Sequence, residues 1–130
     1  MANSRLQEAI CLLENKFPDA AYYMAGYSIE LLLKARICKT LRIDDFFTFS
    51  LGKKDIYKPY KVHSFEDLVI LSGIYPDLIM AQENFTLEHH WSVVCEWTEG
   101  CRYTTGRDEK MVSDFIISIK AISLWIKERL

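Results

Sequence analysis

Residues 20–37, AAYYMAGYSIELLLKARI, constrain the fold of this chain more than any other segment. Nearly every position from 20 to 33 is apolar, aromatic or small, so a helix built from them is apolar on almost all sides. Pro18 and Asp19 precede the run and suit a first helical turn, where proline loses no hydrogen bond and a carboxylate complements the helix dipole. The sequence therefore predicts a central helix that neighbouring elements cover on several sides.

Helical periodicity extends over most of the remaining chain. Apolar residues recur at steps of three and four, and Val112, Ile119 and Ile126 share one stripe of the last segment. Residues 43–62 lose this period and predict a long irregular excursion. We therefore expect one all-α domain over residues 1–130, an up-and-down bundle of about five helices. The expected helices cover about residues 4–16, 18–42, 65–72, 76–97 and 108–129, the fourth as one helix or as a broken pair.

The charges are unevenly distributed along the chain. A net charge of −2 predicts no attraction of the whole chain to nucleic acid or anionic lipid. Residues 34–61 hold eight basic and three acidic side chains, whereas residues 63–130 hold six basic and eleven acidic ones. Such a division is typical either of a binding face or of ordinary solvated charges. The apolar run over 20–33 is shorter than the about 20 residues of a membrane span and contains Glu30, so we expect no membrane anchor.

The cysteine and histidine patterns match no metal module. The four cysteines form no CxxC pair, and no signal-peptide pattern opens the chain, so we expect reduced thiols and a cytoplasmic protein. Cys95 and Cys101 lie near His89 and His90, but with no zinc-site spacing. Adjacent residues point about 100° apart on a helix, which favours histidines at the edge of the core. We expect no metal and no cofactor.

Glu30 stands inside the apolar run, and Lys34 follows it by four residues, the order and spacing that favour an ion pair on one helix. Two interpretations stay open. In the first, the pair lies on a narrow outward stripe of the helix that also holds Asp19 and Gly26. In the second, Glu30 accepts hydrogen bonds from distant donors and organises a polar groove. The candidate groove residues are Glu30, Lys34, His63, Arg102 and Tyr103.

The segment KKDIYKPYK, residues 53–61, interleaves basic and aromatic side chains. Lysines contact phosphates and tyrosines stack on bases, so this segment is the best candidate for contact with nucleic acid. The three tryptophans, Trp91, Trp97 and Trp125, favour core or interface positions over stacking on a base. The candidate nucleic-acid contacts are Lys53, Lys54, Tyr57, Lys58, Tyr60 and Lys61.

The motifs AYYMAGYSIELLLKARI, HSFEDL and CRYTT follow one another in this chain and resemble the HEPN domain family. In that family the second helix carries an aromatic or small pair, then Ala-Gly-Tyr/His, then a glutamate and a lysine four apart. A histidine opens the third helix, and an Arg-Tyr pair precedes the last. The matching residues here are Tyr23, Ala25, Gly26, Tyr27, Glu30, Lys34, His63, Leu68, Arg102 and Tyr103.

The resemblance implies a four- or five-helix bundle that forms homodimers, binds a nucleotide or RNA, and pairs with a small nucleotidyltransferase as a toxin–antitoxin component. It implies metal-independent ribonuclease activity only for chains in which a histidine follows an arginine after four to six residues. No arginine of this chain has a histidine at that spacing. We therefore expect a non-catalytic module in which Arg102 and Lys34 hold phosphate, while Tyr103 stacks and Glu30 orients them. Two alternatives stay open: a ribonuclease toxin with a displaced His63–Arg102 pair, and a purely structural dimerisation domain.

Overall fold

The computed structural model describes residues 1–42 and 64–129. Within these two ranges the chain is helical and contains no β-strand, which confirms the predicted all-α class. The predicted excursion over 43–62 lies outside the described residues. The part of the chain described here holds no helix with the length and apolar character that crossing a membrane would need. Its elements are α1 (Ala2–Glu14), α2 (Pro18–Leu41), α3 (Phe65–Ser72), α4 (Tyr75–Ala81), α5 (Phe85–Cys95), a 3₁₀ helix (Glu99–Tyr103) and α6 (Glu109–Lys127).

The central helix of the bundle is α2. It packs against α1, α3, α6 and the 3₁₀ helix, and twelve of its residues are buried. Pro18 lies in its first turn with Asp19 beside it. The helix ends at Arg42, whose φ of 57° is the left-handed conformation common at helix C-termini. Burying a large apolar side chain stabilises the folded state by about 1.5–3 kcal/mol, so α2 carries a large share of the core energy.

The helix α6 packs a continuous apolar stripe against α2 and α5. The helix α5 runs beside it and adds Trp91 and Val94 to the core. His90 Nδ1 of α5 and Ser118 Oγ of α6 lie within hydrogen-bond distance, 2.8 Å apart. The helix α1 covers another side of α2 and buries Ala9. The buried stripe of α6 is the predicted one and includes Val112, Phe115, Ile116, Ile119, Ile122 and Ile126.

The fourth predicted helix is a broken pair, α4 and α5. Asn84 explains the break, because its Oδ1 accepts hydrogen bonds from the backbone N–H groups of Thr86, at 3.0 Å, and Leu87, at 3.4 Å, and so starts a new helix. Ser64 holds the predicted N-cap position of α3, although its side chain makes no capping hydrogen bond with any described residue. Gly73 ends α3 as predicted, with a φ of 84° that favours glycine.

Candidate functional site

Glu30 and Lys34 form an ion pair in the interior of the protein. Lys34 Nζ donates a hydrogen bond of 2.7 Å to Glu30 Oε1, and the two side chains are only 6% and 1% exposed, respectively. The interpretation that places them on an outward stripe is therefore wrong, and Gly26 of that stripe is buried as well. The physical reason is that neighbouring elements cover α2 on several sides. Breaking such a buried pair by removing one partner costs about 3–5 kcal/mol.

Four aromatic side chains, Tyr23, Tyr27, Phe65 and Trp97, form what we call the aromatic layer. The rings of Tyr23 and Tyr27 are nearly parallel, with centroids 6.0 Å apart. The Trp97 ring lies 5.9 Å from that of Tyr23 and 5.2 Å from that of Phe65. Burial, followed by the negative charge of Glu30, raises the pKa of the Tyr27 hydroxyl. The aromatic layer is therefore within electrostatic reach of the buried ion pair.

Trp97 packs directly on the backbone of α2 at Gly26. A methyl group added to Gly26 would stand 2.3 Å from both Cδ1 and Nε1 of the indole, far inside van der Waals contact. The rings of Trp97 and Phe65 are parallel to within 5°. The Ala-Gly-Tyr motif of α2 thus has a packing reason, because glycine leaves the space that the indole occupies.

The 3₁₀ helix carries Arg102 and Tyr103 at the protein surface. The guanidinium carbon of Arg102 lies 5.0 Å from the centroid of the Tyr103 ring, and its Nη1 lies 3.7 Å from Glu99 Oε1. Interactions with the side chain of Tyr103, and then with that of Tyr23, raise the pKa of Arg102. A tyrosine of the aromatic layer therefore influences the charge of Arg102. Tyr103 is 77% exposed, which leaves most of its ring accessible.

The groove residues that the structure describes fall into two groups. Glu30 and Lys34 are interior, whereas Arg102 and Tyr103 are exposed. Within the described ranges, no hydrogen bond or ion pair joins Glu30 or Lys34 to Arg102 or Tyr103. The tyrosines of the aromatic layer are affected by both groups electrostatically, since Tyr23 helps to raise the pKa of Arg102 and Glu30 helps to raise the pKa of Tyr27. Seven candidate residues lie outside the described residues: Lys53, Lys54, Tyr57, Lys58, Tyr60, Lys61 and His63.

A second cluster, which sequence reasoning did not identify, joins the start of α2 to the loop before α6. Asp19 accepts hydrogen bonds from the backbone N–H groups of Gly106, at 3.0 Å, and Arg107, at 3.1 Å, and from Arg107 Nη1 at 3.3 Å. The Arg107 guanidinium lies 4.2 Å from the centroid of the Tyr22 ring. The backbone hydrogen bond from Arg107 is the largest cause that lowers the pKa of Asp19. This cluster fixes where the 3₁₀ helix, and thus Arg102, meets α2.

A cleft of about 310 Å³ borders the aromatic layer, lined by Ser64, Phe65, Glu66, Cys95, Trp97 and Thr98. Burial, assisted by the charge of Glu66, raises the pKa of Cys95 to about 12. A thiol with such a pKa is protonated at neutral pH and is a poor nucleophile. Cys95 therefore does not equip the cleft for covalent chemistry.

The remaining candidates lie in the core or at its edge. Trp91, Trp97 and Trp125 are buried. His90 is half-buried and pairs with Ser118, whereas His89 is exposed. Among the described residues, no three His, Cys, Asp or Glu side chains come together in an arrangement that could hold a metal ion. Comparison of the chain with models of protein families, with curated proteins and with solved structures found no match.

Proposed function

We propose that this chain is a HEPN-like, non-catalytic module that binds a nucleotide or RNA at the Arg102 surface, which we define as Arg102, Tyr103 and Tyr23. The observation that carries the proposal is the exposed guanidinium of Arg102 beside the exposed ring of Tyr103. The all-α bundle and the order of its motifs agree with the resemblance. The Arg102 surface is where the ligand contacts the protein in this proposal.

The chemistry of the Arg102 surface suits a phosphate attached to a base. A guanidinium offers a planar fork of N–H donors that matches phosphate oxygens, and a tyrosine ring offers a face on which a base stacks. Of the two cations expected to hold phosphate, Arg102 and Lys34, the proposal keeps Arg102, because Lys34 is buried and bonded to Glu30. In the proposal Glu30 and Lys34 have an indirect role, in which they hold α2 and its tyrosines in place.

Binding of a labelled single-stranded RNA, followed by fluorescence anisotropy, tests this proposal. We expect Arg102→Gln to weaken binding by about tenfold or more, since a hydrogen bond to a charged group contributes about 1.5–3 kcal/mol. We expect Tyr103→Ala to weaken it by a similar factor through lost stacking. The matched control is Lys110→Gln, which removes one positive charge from an 83% exposed side chain of α6. Equal effects of Arg102→Gln and Lys110→Gln, or no binding of RNA or ATP at all, would reject the proposal.

The ribonuclease alternative makes a different prediction for the same protein. A displaced His63–Arg102 pair would activate a ribose hydroxyl and stabilise the developing negative charge. RNA would then be cleaved in the presence of EDTA, and both His63→Ala and Arg102→Ala would abolish the cleavage. Intact RNA after prolonged incubation, together with binding that depends on Arg102, supports the non-catalytic module.

The proposal extends to the assembly of the protein. We propose a cytoplasmic homodimer that pairs with a nucleotidyltransferase as a toxin–antitoxin component, as the resemblance implies. Size-exclusion chromatography with light scattering measures the dimer, and the absorbance ratio of the peak reports bound nucleic acid. A monomer without nucleic acid would count against this assembly. If Glu30→Gln changes only the stability of the dimer, and the protein binds no ligand, the structural dimerisation domain would be favoured.

A further inference from the structure

Three apolar side chains stand out in solvent where α4 turns into α5. Ile79 is 50% exposed, Met80 75% and Phe85 85%. We call these three residues the apolar corner. They lie within seven positions of one another along the chain, on the two sides of the turn between α4 and α5. Contiguous exposed apolar surface is uncommon on soluble proteins and marks sites of interaction.

The apolar corner is held outward by an ordered turn. The backbone N–H of Asn84 donates a hydrogen bond of 3.0 Å to the carbonyl of Ala81, and the Asn84 side chain caps α5. The neighbouring positions Leu78 and Trp91 already fill the core. Met80 and Phe85 therefore cannot turn inward without displacing buried side chains, since protein interiors are close-packed. Their exposure follows from the geometry of the fold.

The charge around the apolar corner has one dominant sign. Residues 64–100 contain seven acidic side chains and no lysine or arginine. Asp77, Glu83 and Glu88 are exposed around the corner. Arg129 approaches from the end of α6, but its Nε lies 3.8 Å from Asp77 Oδ2 and its guanidinium stacks 4.0 Å from the centroid of the Trp125 ring. Arg129 thus offsets the charge of one carboxylate, and the exposed acids named here still outnumber it.

An open depression of about 640 Å³ adjoins the corner. Met80 and Ala81 supply its apolar part, while Asp77 and Glu128 supply carboxylates near Arg129. An apolar anchor can enter this depression while cationic groups on the same ligand reach the surrounding acids. Electrostatic complementarity of this kind orients a partner and speeds its association.

From these observations we propose that the apolar corner docks a protein segment that presents apolar anchors flanked by lysine or arginine, such as one face of a basic amphipathic helix. An RNA or an anionic membrane does not fit, because both would bring negative charge to an acidic surface. The partner is therefore a cationic polypeptide. This inference goes beyond the proposed function and does not depend on it, since it involves none of the residues of the Arg102 surface.

The helix α6 provides a matched control surface. Ile117 and Leu124 on its outer side are 55% and 60% exposed, similar to Ile79. Charges of both signs lie within one turn of them, the exposed Lys120 and Lys127 together with the exposed Asp114 and Glu128. The two surfaces thus share apolar character and differ in charge. A cationic segment should distinguish them, whereas general hydrophobic adhesion should not.

The test uses a fluorescent 18-residue amphipathic peptide with leucines on one face and lysines on the other, and a second peptide with glutamate in place of every lysine. We expect the unmodified protein to bind the lysine peptide and not the glutamate peptide. The double variant Met80→Gln/Phe85→Ser should weaken this binding by about tenfold or more, because buried anchors dominate the affinity of an interface. The double variant Ile117→Gln/Leu124→Ser should change it by less than about twofold.

A second pair of variants separates charge from apolar contact. Glu83→Gln/Glu88→Gln should weaken binding at low salt and reduce its salt dependence, with little effect on folding because both side chains are exposed. Binding of both peptides equally, no binding of the lysine peptide, or equal loss in the variants of the corner and of α6 would each overturn the inference. RNA binding that is lost in Arg102→Gln but retained in Met80→Gln/Phe85→Ser would show that the two surfaces act separately.

Discussion

The indole of Trp97 occupies the space where a side chain at Gly26 would be. The two residues are 71 positions apart in the sequence, yet a methyl group on Gly26 would stand 2.3 Å from the indole. A glycine inside a helix lowers helix stability by about 1 kcal/mol relative to alanine. Here that loss is offset by the packing of a large buried aromatic residue on α2.

Gly26→Ala should therefore destabilise the protein, against the usual effect of alanine in a helix. We expect a loss of about 1–3 kcal/mol in the free energy of unfolding, measured in urea, because the indole must shift. Gly100→Ala is the control, since the nearest atom to its added methyl group is 3.9 Å away. Combination with Trp97→Leu should remove most of the Gly26→Ala penalty. If the losses in the free energy of unfolding of Gly26→Ala and Trp97→Leu simply add in the double variant, the result would contradict the proposed clash.

Lys34→Met should be strongly destabilising, because it removes the ammonium that faces the buried Glu30 carboxylate. We expect about 3–5 kcal/mol, the cost of breaking a buried ion pair. The same change at Lys110, which pairs with Asp114 at 3.3 Å on the exposed side of α6, should cost less than about 1 kcal/mol. Chemical denaturation of both variants gives the comparison. Similar losses at the two sites would show that the interior pair has no special energetic role.

The cluster around Asp19 predicts a pH dependence of stability. The pKa of Asp19 is lowered in the folded state. Its contribution to the free energy of unfolding is therefore present above the ordinary carboxyl pKa of about 3.9 and is lost as the pH falls through the lowered value. Asp19→Asn should be less stable than the unmodified protein at pH 7, and the difference should shrink on acidification below about pH 4. Glu83→Gln, which also removes one exposed carboxylate, is the control variant. If the difference in stability between Asp19→Asn and the unmodified protein does not change with pH, the titration of Asp19 does not contribute to stability as predicted.

Thiol reactivity offers a test that needs no ligand. Because burial raises the pKa of Cys95 to about 12, its thiol should react slowly with a disulfide reagent at pH 8, whereas the exposed Cys11 should react fast. Cys11→Ser should remove the fast phase, and unfolding in guanidinium should make all remaining thiols react. Fast labelling of Cys95 in the native protein, identified by mass spectrometry, would contradict its raised pKa.

The helical class was predictable because periodicity is a local property. The stripe of α6 and the breaks at Pro18 and Gly73 follow from residues close together in the sequence. The break at Asn84 was only one of two alternatives, since a mid-segment asparagine can either cap a helix or lie within one. The 3₁₀ helix in the predicted turn region carried no periodic signal of its own.

The candidate site was predictable only in part, because it depends on contacts between distant segments. The order and spacing of Glu30 and Lys34 predicted their ion pair but not whether it faces inward. Nothing near Trp97 in the sequence points to Gly26. Arg107 resembled any loop arginine, although the glycine before it, with a φ of 86°, marks the turn that directs it toward Asp19.

The contact between Trp97 and Gly26 also sets the rotation of α2 about its own axis. A helix that is apolar on almost every side can be buried in many orientations. Hydrophobic burial alone therefore does little to fix its rotation about its own axis. A turn by one residue, about 100°, would bring Ala25 or Tyr27 under the indole, and each carries a Cβ where glycine has none. One missing methyl group thus favours one rotation of α2, and with it the direction in which Glu30 projects.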